Sequence, residues 1–457
     1  MEFPANLDAF PAGFLFGTAT AAYQIEGGVA EGGRGPSIWD TFSHTPGRIH
    51  RGDTGDIACD HYHRWEDDLG LMADLGYPAY RLSLSWARLQ PSGTGGLNPD
   101  GVAFYRRVLE GCHRRGITPL VTLYHWDLPQ PLQDAGGWPE RATAERFGEY
   151  GGRVIEALGD LTTYWITINE PWCVSFLSHA RGVQAPGFTD DRLAIRAAHH
   201  TLVAHGLALG EFRSRLPAAQ VGITNILGAV NPASDAPADV EAARVLDIRM
   251  NRVFLEPCYL GEYSDDVTEV FGRDGLNAGE TQGALVQPGD LELIAAPTDF
   301  VGVNHYTNMI ATADPTARRG VQIRHVEPTP STFGWSDTPD ALHGILVRVD
   351  REFSQLPVFV TENGISLNDY VDPDGRVNDV ERIDYYRGYI EAVGKAISDG
   401  VDVRGYMAWS FLDNFEWAEG YDKRFGLVYV DYPTQRRIPK ASARWYAEMI
   451  ARFRSRA

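Results

Sequence analysis

Two glutamates stand in matching contexts in this 457-residue sequence. Glu170 follows the apolar run TYWITIN, Glu362 follows PVFVT, and an asparagine is next to each. A single glutamate at such a place is in most proteins a solvated residue paired with Lys or Arg. A matched pair suits cleavage of a glycosidic bond, which needs an acid to protonate the leaving oxygen and a carboxylate on the other side of the sugar carbon.

The elements that must position these carboxyl groups recur along the whole chain. Runs that are apolar throughout suit strands buried on both faces, as in a parallel sheet. Such runs occupy residues 13–20, 79–86, 118–126, 163–170, 220–226, 299–306, 357–364 and 405–413. Stretches with helical spacing separate them, so the sequence predicts an α/β fold, a (β/α)8 TIM barrel with long βα loops. An open doubly wound sheet is the alternative, but no Gly-rich phosphate loop follows the first run.

Most of these runs end in a side chain that can do chemistry. His125, Glu170, Tyr306 and Glu362 all lie at or next to the end of a run. In a barrel these ends share one face, where active sites are built. We therefore expect the two glutamates to face each other across the mouth of the barrel.

Composition limits the class of protein and its partners. Apolar residues make up 44% and charged residues 22%, as in a globular protein, and no linker or break in composition divides residues 1–457. One catalytic domain is therefore predicted. With 41 basic and 61 acidic residues the net charge is −20, which argues against nucleic acid and acidic membranes as partners. No feature indicates an oligomeric state.

The N-terminal region and the cysteines predict a cytoplasmic location. The first 23 residues contain no Lys or Arg, whereas a secretory signal begins with basic residues. No apolar run approaches the roughly 20 residues that cross a bilayer. The four cysteines have no CxxC spacing, which favours reduced thiols.

A series of longer motifs resembles one known family. The motifs are FLFGTATAAYQIEG, SIWDTF, GDIACDHYHRWEDD, YRLSLSWARLQP, LVTLYHWDLPQ, WITINEP, DFVGVNHYTN, FVTENG, AWSFLDNFEWAEGY and FGLVYVDY. In this order they are similar to family 1 glycoside hydrolases of the β-glucosidase and β-galactosidase type, over nearly the whole chain. The resemblance implies a retaining β-glycosidase that needs no cofactor or metal.

The resemblance also implies catalytic roles. Glu362 matches the nucleophile that forms a glycosyl-enzyme intermediate, and Glu170 matches the acid/base. Arg81 and Tyr306 match the residues that keep the nucleophile ionised, and Asn304 belongs to the same catalytic set. The negative nucleophile is expected to raise the pKa of Glu170, and the carboxyl groups are expected about 5–5.5 Å apart.

The sugar-binding positions follow from the same resemblance. The residues matching the family's glycone site are Gln24, His125, Trp126, Asn169, Glu416 and Trp417, with Trp409 as the stacking platform. Taken alone, His125 is more often a satisfied core histidine and Trp409 a packing residue. Trp335 resembles the residue that stacks on the aglycone, and Trp172, Cys173 and Leu177 are expected at the entrance. Trp172 and Leu177 also resemble gatekeepers of glucose-tolerant members.

A few residues help to compare this chain with related branches of the family. His305 stands where many members carry Tyr, and we expect it to point away from the nucleophile because Tyr306 follows it. The phosphate pocket of 6-phospho-β-glucosidases is matched by Lys423 alone, because Glu416 and Phe425 occupy its other two positions. A glutamate there repels a phosphate dianion. The acid Glu170 argues against thioglucosidases, which lack it.

The implied substrates are small β-glycosides. They include cellobiose, short oligosaccharides and aryl or alkyl glucosides, with galactosides and fucosides as further candidates. A transglycosidase and a catalytically dead sugar-binding barrel remain alternatives, although the second usually loses a carboxylate. His61, His63, His199, His200 and His205 have spacings that a metal could use, but no Cys or carboxylate set completes them.

Overall fold

Eight parallel strands close into a barrel in the computed structural model, which describes residues 2–277, 284–326 and 329–456. Barrel strands 1 to 8 are Leu15–Ala19, Ala79–Ser83, Thr118–Tyr124, Tyr164–Asn169, Gln220–Ile226, Phe300–Asn304, Val358–Asn363 and Val403–Trp409. They follow one another in chain order around the ring, and strand 1 pairs with strand 8 through Leu15 and Gly405. Each strand overlaps one of the eight apolar runs, so the predicted (β/α)8 barrel is confirmed.

A long helix follows each barrel strand. These helices are His61–Asp74, Pro99–Arg114, Arg141–Leu158, Asp191–Arg215, Pro237–Asp247, Pro339–Arg348, Val380–Ser398 and Ala441–Arg454. Shorter α-helices are Ala22–Ile25, Ile38–Ser43, Trp86–Leu89, Gln130–Asp134, Val253–Leu255, Asp265–Phe271 and Asp290–Ile294. Wider, π-helical turns occupy Cys173–Ala180, Ile248–Arg252, Glu256–Leu260 and Val349–Phe353. Single 3-10 turns are Leu7–Ala9, His50–Gly52, Gly159–Leu161, Gly272–Asp274, Arg318–Gly320 and Trp417–Glu419.

The helix Pro99–Arg114 illustrates how local sequence sets these elements. The Asn98 side chain accepts a hydrogen bond from the Asp100 backbone N–H at 3.3 Å and caps the first turn. Pro99 occupies the first helical position, where its missing N–H costs nothing. The helix then buries one face, which includes Phe104, Val108, Leu109 and Cys112.

Two small sheets, which the sequence analysis does not predict, decorate the barrel. Ala229–Pro232, Asn308–Ala313 and Val321–Arg324 form a three-stranded sheet in that order. Its first two strands directly follow barrel strands 5 and 6, so the sheet extends one wall of the mouth. Val428–Asp431 and Arg436–Pro439 form an antiparallel pair after strand 8.

A glycine inside the barrel makes room for the layer below the mouth. A Cβ added to Gly302 in strand 6 would lie 2.2 Å from Thr224 Oγ1, so only glycine fits beside that hydroxyl. The Thr224 hydroxyl donates to Thr361 Oγ1 at 3.2 Å. Thr361 directly precedes Glu362, so this close approach bears on the site.

Cys59, Cys112, Cys173 and Cys258 are buried and form no disulfide bond. Burial raises the pKa of all four thiols. None of the helices in the described ranges combines the length and the apolar content that a bilayer crossing requires.

Candidate active site

A cavity of about 350 Å³ opens at the carboxyl ends of the barrel strands. Glu170 and Glu362 both line it and are each only 3% exposed. Other predicted residues that line it are His125, Trp126, Trp172, Leu177, Tyr306, Trp335, Trp409, Glu416 and Trp417. The remaining predicted residues, Gln24, Arg81, Asn169 and Asn304, lie behind this lining and hydrogen-bond to it. The structure thus brings the whole predicted set together.

Glu362 ends strand 7 and is held by a cation and a phenol. Arg81 Nη1 donates to its Oε1, and Tyr306 Oη donates to its Oε2 at 2.6 Å. All three side chains are buried, and Arg81 is 1% exposed. Charge-assisted hydrogen bonds of this kind stabilise the ionised carboxylate.

Glu170 sits just past strand 4 and has only uncharged hydrogen-bond donors. Asn304 Nδ2 donates to Oε1 at 2.6 Å, and Cys173 Sγ donates to Oε2 at 3.1 Å. Its backbone has φ of 50°, a left-handed conformation that is uncommon for a residue with a side chain. Glu170 therefore turns the chain out of the strand, next to Pro171, which cannot continue the pairing.

The different partners separate the two carboxyl groups electrostatically. Burial and the charge of Glu362 raise the pKa of Glu170 to about 8. Burial also raises the pKa of Glu362, but Arg81, Tyr306 and Asn304 oppose that rise. Because only Glu362 is paired with a cation, it ionises first and Glu170 keeps its proton near neutral pH.

A chain of hydrogen bonds fixes the side-chain amide of Asn304. Thr361 Oγ1 donates to Asn304 Oδ1 at 2.7 Å, so the Asn304 amide nitrogen must face the other way. There it meets Glu170 and Asn169, with an Nδ2–Oδ1 distance of 3.1 Å to Asn169. Thr224 donates to Thr361 and completes the chain. The donor that Glu170 meets is thus fixed by residues of three barrel strands.

Asn169 and His125 form the next part of the deep wall. Arg81 Nη2 donates to Asn169 Oδ1 at 2.7 Å, which leaves Asn169 Nδ2 to donate to His125 Nε2 at 3.1 Å. His125 therefore carries its proton on Nδ1, which is buried and has no partner among the described residues. Burial and the charge of Arg81 hold the pKa of His125 well below its usual value. A neutral imidazole N–H is thereby available to a sugar hydroxyl.

Gln24 and Glu416 form a second polar pair. Gln24 Nε2 donates to Asn414 Oδ1 and to the Phe415 carbonyl at 3.0 Å each, and lies 3.4 Å from Glu416 Oε2. Gln24 Oε1 is buried with no partner in the described part of the chain, so it is free to accept from a ligand. Loss of hydration and the charge of Glu362 raise the pKa of Glu416 to about 8.

Aromatic rings form the apolar wall beside these groups. The Trp126 and Trp417 centroids lie 4.5 Å apart, and the His125 ring stacks on Trp409 at 5.9 Å. Trp126 and Trp417 both adopt positive φ, 81° and 51°. A flat aromatic surface next to convergent polar groups suits the C–H face and the hydroxyls of a sugar.

The outer half of the cavity is more apolar. Trp335 stacks on Phe333 at 4.4 Å and lies 5.5 Å from Tyr306. Trp172 and Leu177 line the facing side and are half-buried. Leu246, Met250, Met309 and Ile323 complete this wall, the last two from the three-stranded sheet.

Of the residues discussed for related branches, Glu416 and Phe425 line the cavity, whereas His305 and Lys423 are not part of its lining. His305 Nδ1 contacts the Leu227 carbonyl at 2.8 Å. Lys423 Nζ donates to the Thr332 carbonyl at 3.0 Å. The clustered histidines have protein partners: His61 contacts Asp68 at 2.8 Å, and His199 contacts Asp290 at 3.0 Å.

The sequence did not predict several hydrogen bonds within the site. Thr224, Thr361 and Asn414 orient site residues, and Cys173 contacts Glu170 in addition to lining the entrance. Threonine is an ordinary strand residue, so Thr224 and Thr361 carry no signal of a polar role. Asn414 lies within the motif FLDNFEW and could have been suspected from it.

A closed α/β barrel with two buried carboxyl groups of unequal pKa at its mouth is the architecture of a glycosidase. The sequence profile of glycosyl hydrolase family 1 matches residues 6–454. This chain belongs to glycosyl hydrolase family 1, as its motifs predict.

Two relatives and one solved structure illustrate the similarity. Beta-glucosidase A of Thermotoga maritima is 45% identical over 97% of this chain and 98% of its own. A bifunctional beta-D-glucosidase/beta-D-fucosidase of Bifidobacterium breve is 46% identical, covering 97% and 98%. The structure of the Thermotoga maritima beta-glucosidase in complex with glucoimidazole has a TM-score of 0.92 at 44% identity, covering 97% of this chain and 99% of that one.

Proposed function

We propose that this chain is a retaining β-glucosidase that removes terminal, non-reducing β-D-glucosyl residues by double displacement. One observation carries the proposal: Glu362 is paired with Arg81, whereas Glu170 has only neutral donors. The two groups thus hold opposite protonation states, as an acid and a nucleophile require. The names of the relatives at 45–46% identity support glucosides as substrates.

In the first step Glu362 attacks the anomeric carbon. Its carboxylate forms a bond to that carbon while the bond to the aglycone oxygen breaks. Glu170 gives its proton to the departing oxygen, and Asn304 stabilises the carboxylate that results. Arg81 and Tyr306 keep Glu362 ionised before attack.

In the second step water replaces the enzyme on the sugar. The ionised Glu170 accepts a proton from water, whose oxygen attacks the anomeric carbon as the Glu362 ester bond breaks. The removal of the negative charge on Glu362 in the intermediate lowers the pKa of Glu170, which fits its change from acid to base. Two inversions give net retention.

The deep wall is assigned to the sugar. We assign His125 Nδ1–H, Gln24 Oε1, Asn169 and Glu416 to its hydroxyls. Trp126, Trp409 and Trp417 form the apolar face. The same groups suit galactose and fucose, and the bifunctional relative from Bifidobacterium breve supports fucosides as further substrates.

The outer half of the cavity is assigned to the aglycone. Its apolar walls suit an aryl group, an alkyl chain or a second sugar, as in cellobiose. The chain is proposed to act as one catalytic domain. A cytoplasmic location is proposed as well, and the four unpaired cysteines support it.

Hydrolysis of 4-nitrophenyl β-glycosides tests the proposal. We expect the glucoside to be cleaved, with the β-anomer of glucose as the first product by NMR and loss of activity in Glu362→Ala. Release of the α-anomer would contradict retention, and no cleavage of any aryl β-glycoside would contradict the function. Product analysis with an added alcohol measures the share of transglycosylation.

A further inference from the structure

An arginine without a counter-ion among the described residues lies at the rim of the cavity. Arg181 follows the helical turn Cys173–Ala180 and lines the outer half beside Val183 and Gln184. Its guanidinium carbon lies 5.6 Å from the ring centroid of Trp172. Its side chain is exposed to solvent and forms no ion pair with any described carboxylate. A cation therefore faces the aglycone half of the pocket.

A second arginine, Arg249, is next in sequence to a residue that lines the same cavity. Arg249 is half-buried and directly precedes Met250, which lines the cavity. Its Nε is buried and lacks a hydrogen-bond partner among the described residues. Burial and the charges of Arg319, Arg181 and Arg318 lower its pKa to about 10, against weaker opposition from Asp191.

The nearby carboxylates are engaged by other arginines. Arg318 and Arg319 lie 2.5 and 2.9 Å from Asp191, and Arg319 lies 2.6 Å from Asp274. Among the described residues, Asp191 and Asp274 pair with Arg318 and Arg319 but not with Arg181 or Arg249. This local positive excess occurs in a chain of net charge −20.

The positive charge is confined to one side of the entrance. Glu419 also lines the cavity, but it follows strand 8 and lies 3.9 Å from Lys423. Strands 4 and 8 are on opposite sides of the eight-stranded ring, and Arg181 follows strand 4. An anionic group on the ligand is therefore attracted to the wall that carries Trp172.

We propose that Arg181, reinforced by Arg249, binds an anionic group on the aglycone, so that the enzyme favours β-glucosides whose aglycone carries a carboxylate. A guanidinium donates two parallel hydrogen bonds to the two oxygens of a carboxylate. Trp172 offers its ring to the hydrocarbon part of the same aglycone. This inference rests on the proposed β-glucosidase activity.

Two substrates with nearly the same phenol leaving group test this inference. They are the β-glucosides of 3-(4-hydroxyphenyl)propanoic acid and of its N-methyl amide, whose phenol oxygens are nearly identical. We expect kcat/KM for the acid to exceed that for the amide about three- to tenfold at low salt, and the ratio to fall as NaCl screens the charge. Arg181→Gln is expected to bring the ratio to about 1, and Arg249→Met to reduce it.

The neutral amide serves as the internal control, because a defect in folding lowers both activities equally. Arg146→Gln is the matched variant: Arg146 pairs with Glu149 at 3.0 Å on the exposed face of an outer helix, and its loss should preserve the ratio. Equal kcat/KM in the wild type, or a ratio that survives Arg181→Gln, overturns this inference alone. Hydrolysis of neither substrate overturns the proposed function and this inference with it.

Discussion

The deep half and the outer half of the cavity differ in how their polar groups are held. In the deep half, Glu362, Asn304 and Asn169 each have two or more bonded partners from different barrel strands. In the outer half the walls are mostly apolar, and the Arg181 side chain has no hydrogen bond or ion pair with the described residues.

We infer from this difference that the deep half carries out the reaction and the outer half selects the substrate. Groups that move protons must be held at fixed angles, and buried hydrogen bonds supply that rigidity. Apolar walls accept several shapes with small differences in free energy. Substitutions should therefore cost much in the deep half and little at the entrance.

The largest effect is expected for Glu362→Ala. Without the nucleophile no glycosyl-enzyme forms, and kcat/KM on 4-nitrophenyl β-glucoside should fall by roughly 10⁴-fold or more. Glu352→Gln, in an exposed pair with Arg348, is the control and should keep full activity. A loss of only about tenfold in Glu362→Ala would mean that another group is the nucleophile.

The loss of kcat/KM caused by Glu170→Gln should depend on the leaving group. Alkyl glucosides need a proton and should lose roughly 10²–10⁴-fold in kcat/KM, whereas dinitrophenyl glucoside should lose far less. In the wild type, kcat/KM should fall as pH rises through about 8, because Glu170 then loses its proton. This alkaline limb should vanish in Glu170→Gln. An equal loss on both substrates would argue against Glu170 as the acid.

Thr361→Val tests the layer beneath the site. It removes the donor to Asn304 Oδ1 and leaves a buried carbonyl unsatisfied, so kcat/KM should fall roughly tenfold. Thr361→Ser keeps the hydroxyl and should retain most activity. Comparable activity of the Val and Ser variants would show that the Asn304 amide keeps its orientation without this bond.

Leu177→Ala probes the entrance. Loss of half-buried apolar contact should change the ratio of kcat/KM between aryl glucosides and cellobiose by about threefold, while cleavage of a small methyl glucoside stays nearly unchanged. The same assay with added glucose tests tolerance. Strong inhibition of the wild type at low millimolar glucose would contradict the role of Trp172 and Leu177 as gatekeepers.

Cys173→Ala should give the smallest change, because it removes a single weak hydrogen bond to Glu170. Cys173 lies where the deep and outer halves of the cavity meet. Its thiol donates to Glu170 Oε2 and so favours the ionised acid. Removal should raise the pKa of Glu170 and move the alkaline limb up by about 0.4 pH unit, as expected for a weak hydrogen bond. Cys173→Ser should restore the limb. A downward shift in Cys173→Ala would refute this role.

The sequence predicted the barrel because its strands are short apolar runs that end in functional side chains. It predicted Glu170 and Glu362 because both lie in matched motifs. The amide orientation of Asn304 could not be predicted, since Thr361 and Thr224 are ordinary strand residues until the strands pair. The positive φ of Glu170 was equally hidden, because that conformation is imposed by surrounding structure and glutamate has no preference for it.

The crowding of acidic groups at the mouth has a consequence for folding itself. In the folded chain Glu170 and Glu416 hold their protons to about pH 8, whereas their ordinary pKa is 4.5. Folding therefore takes up protons between these values, and the free energy of unfolding falls as pH rises from about 4.5 to 8. The burial and mutual repulsion that keep these two carboxyl groups protonated thus weaken the fold in alkaline solution.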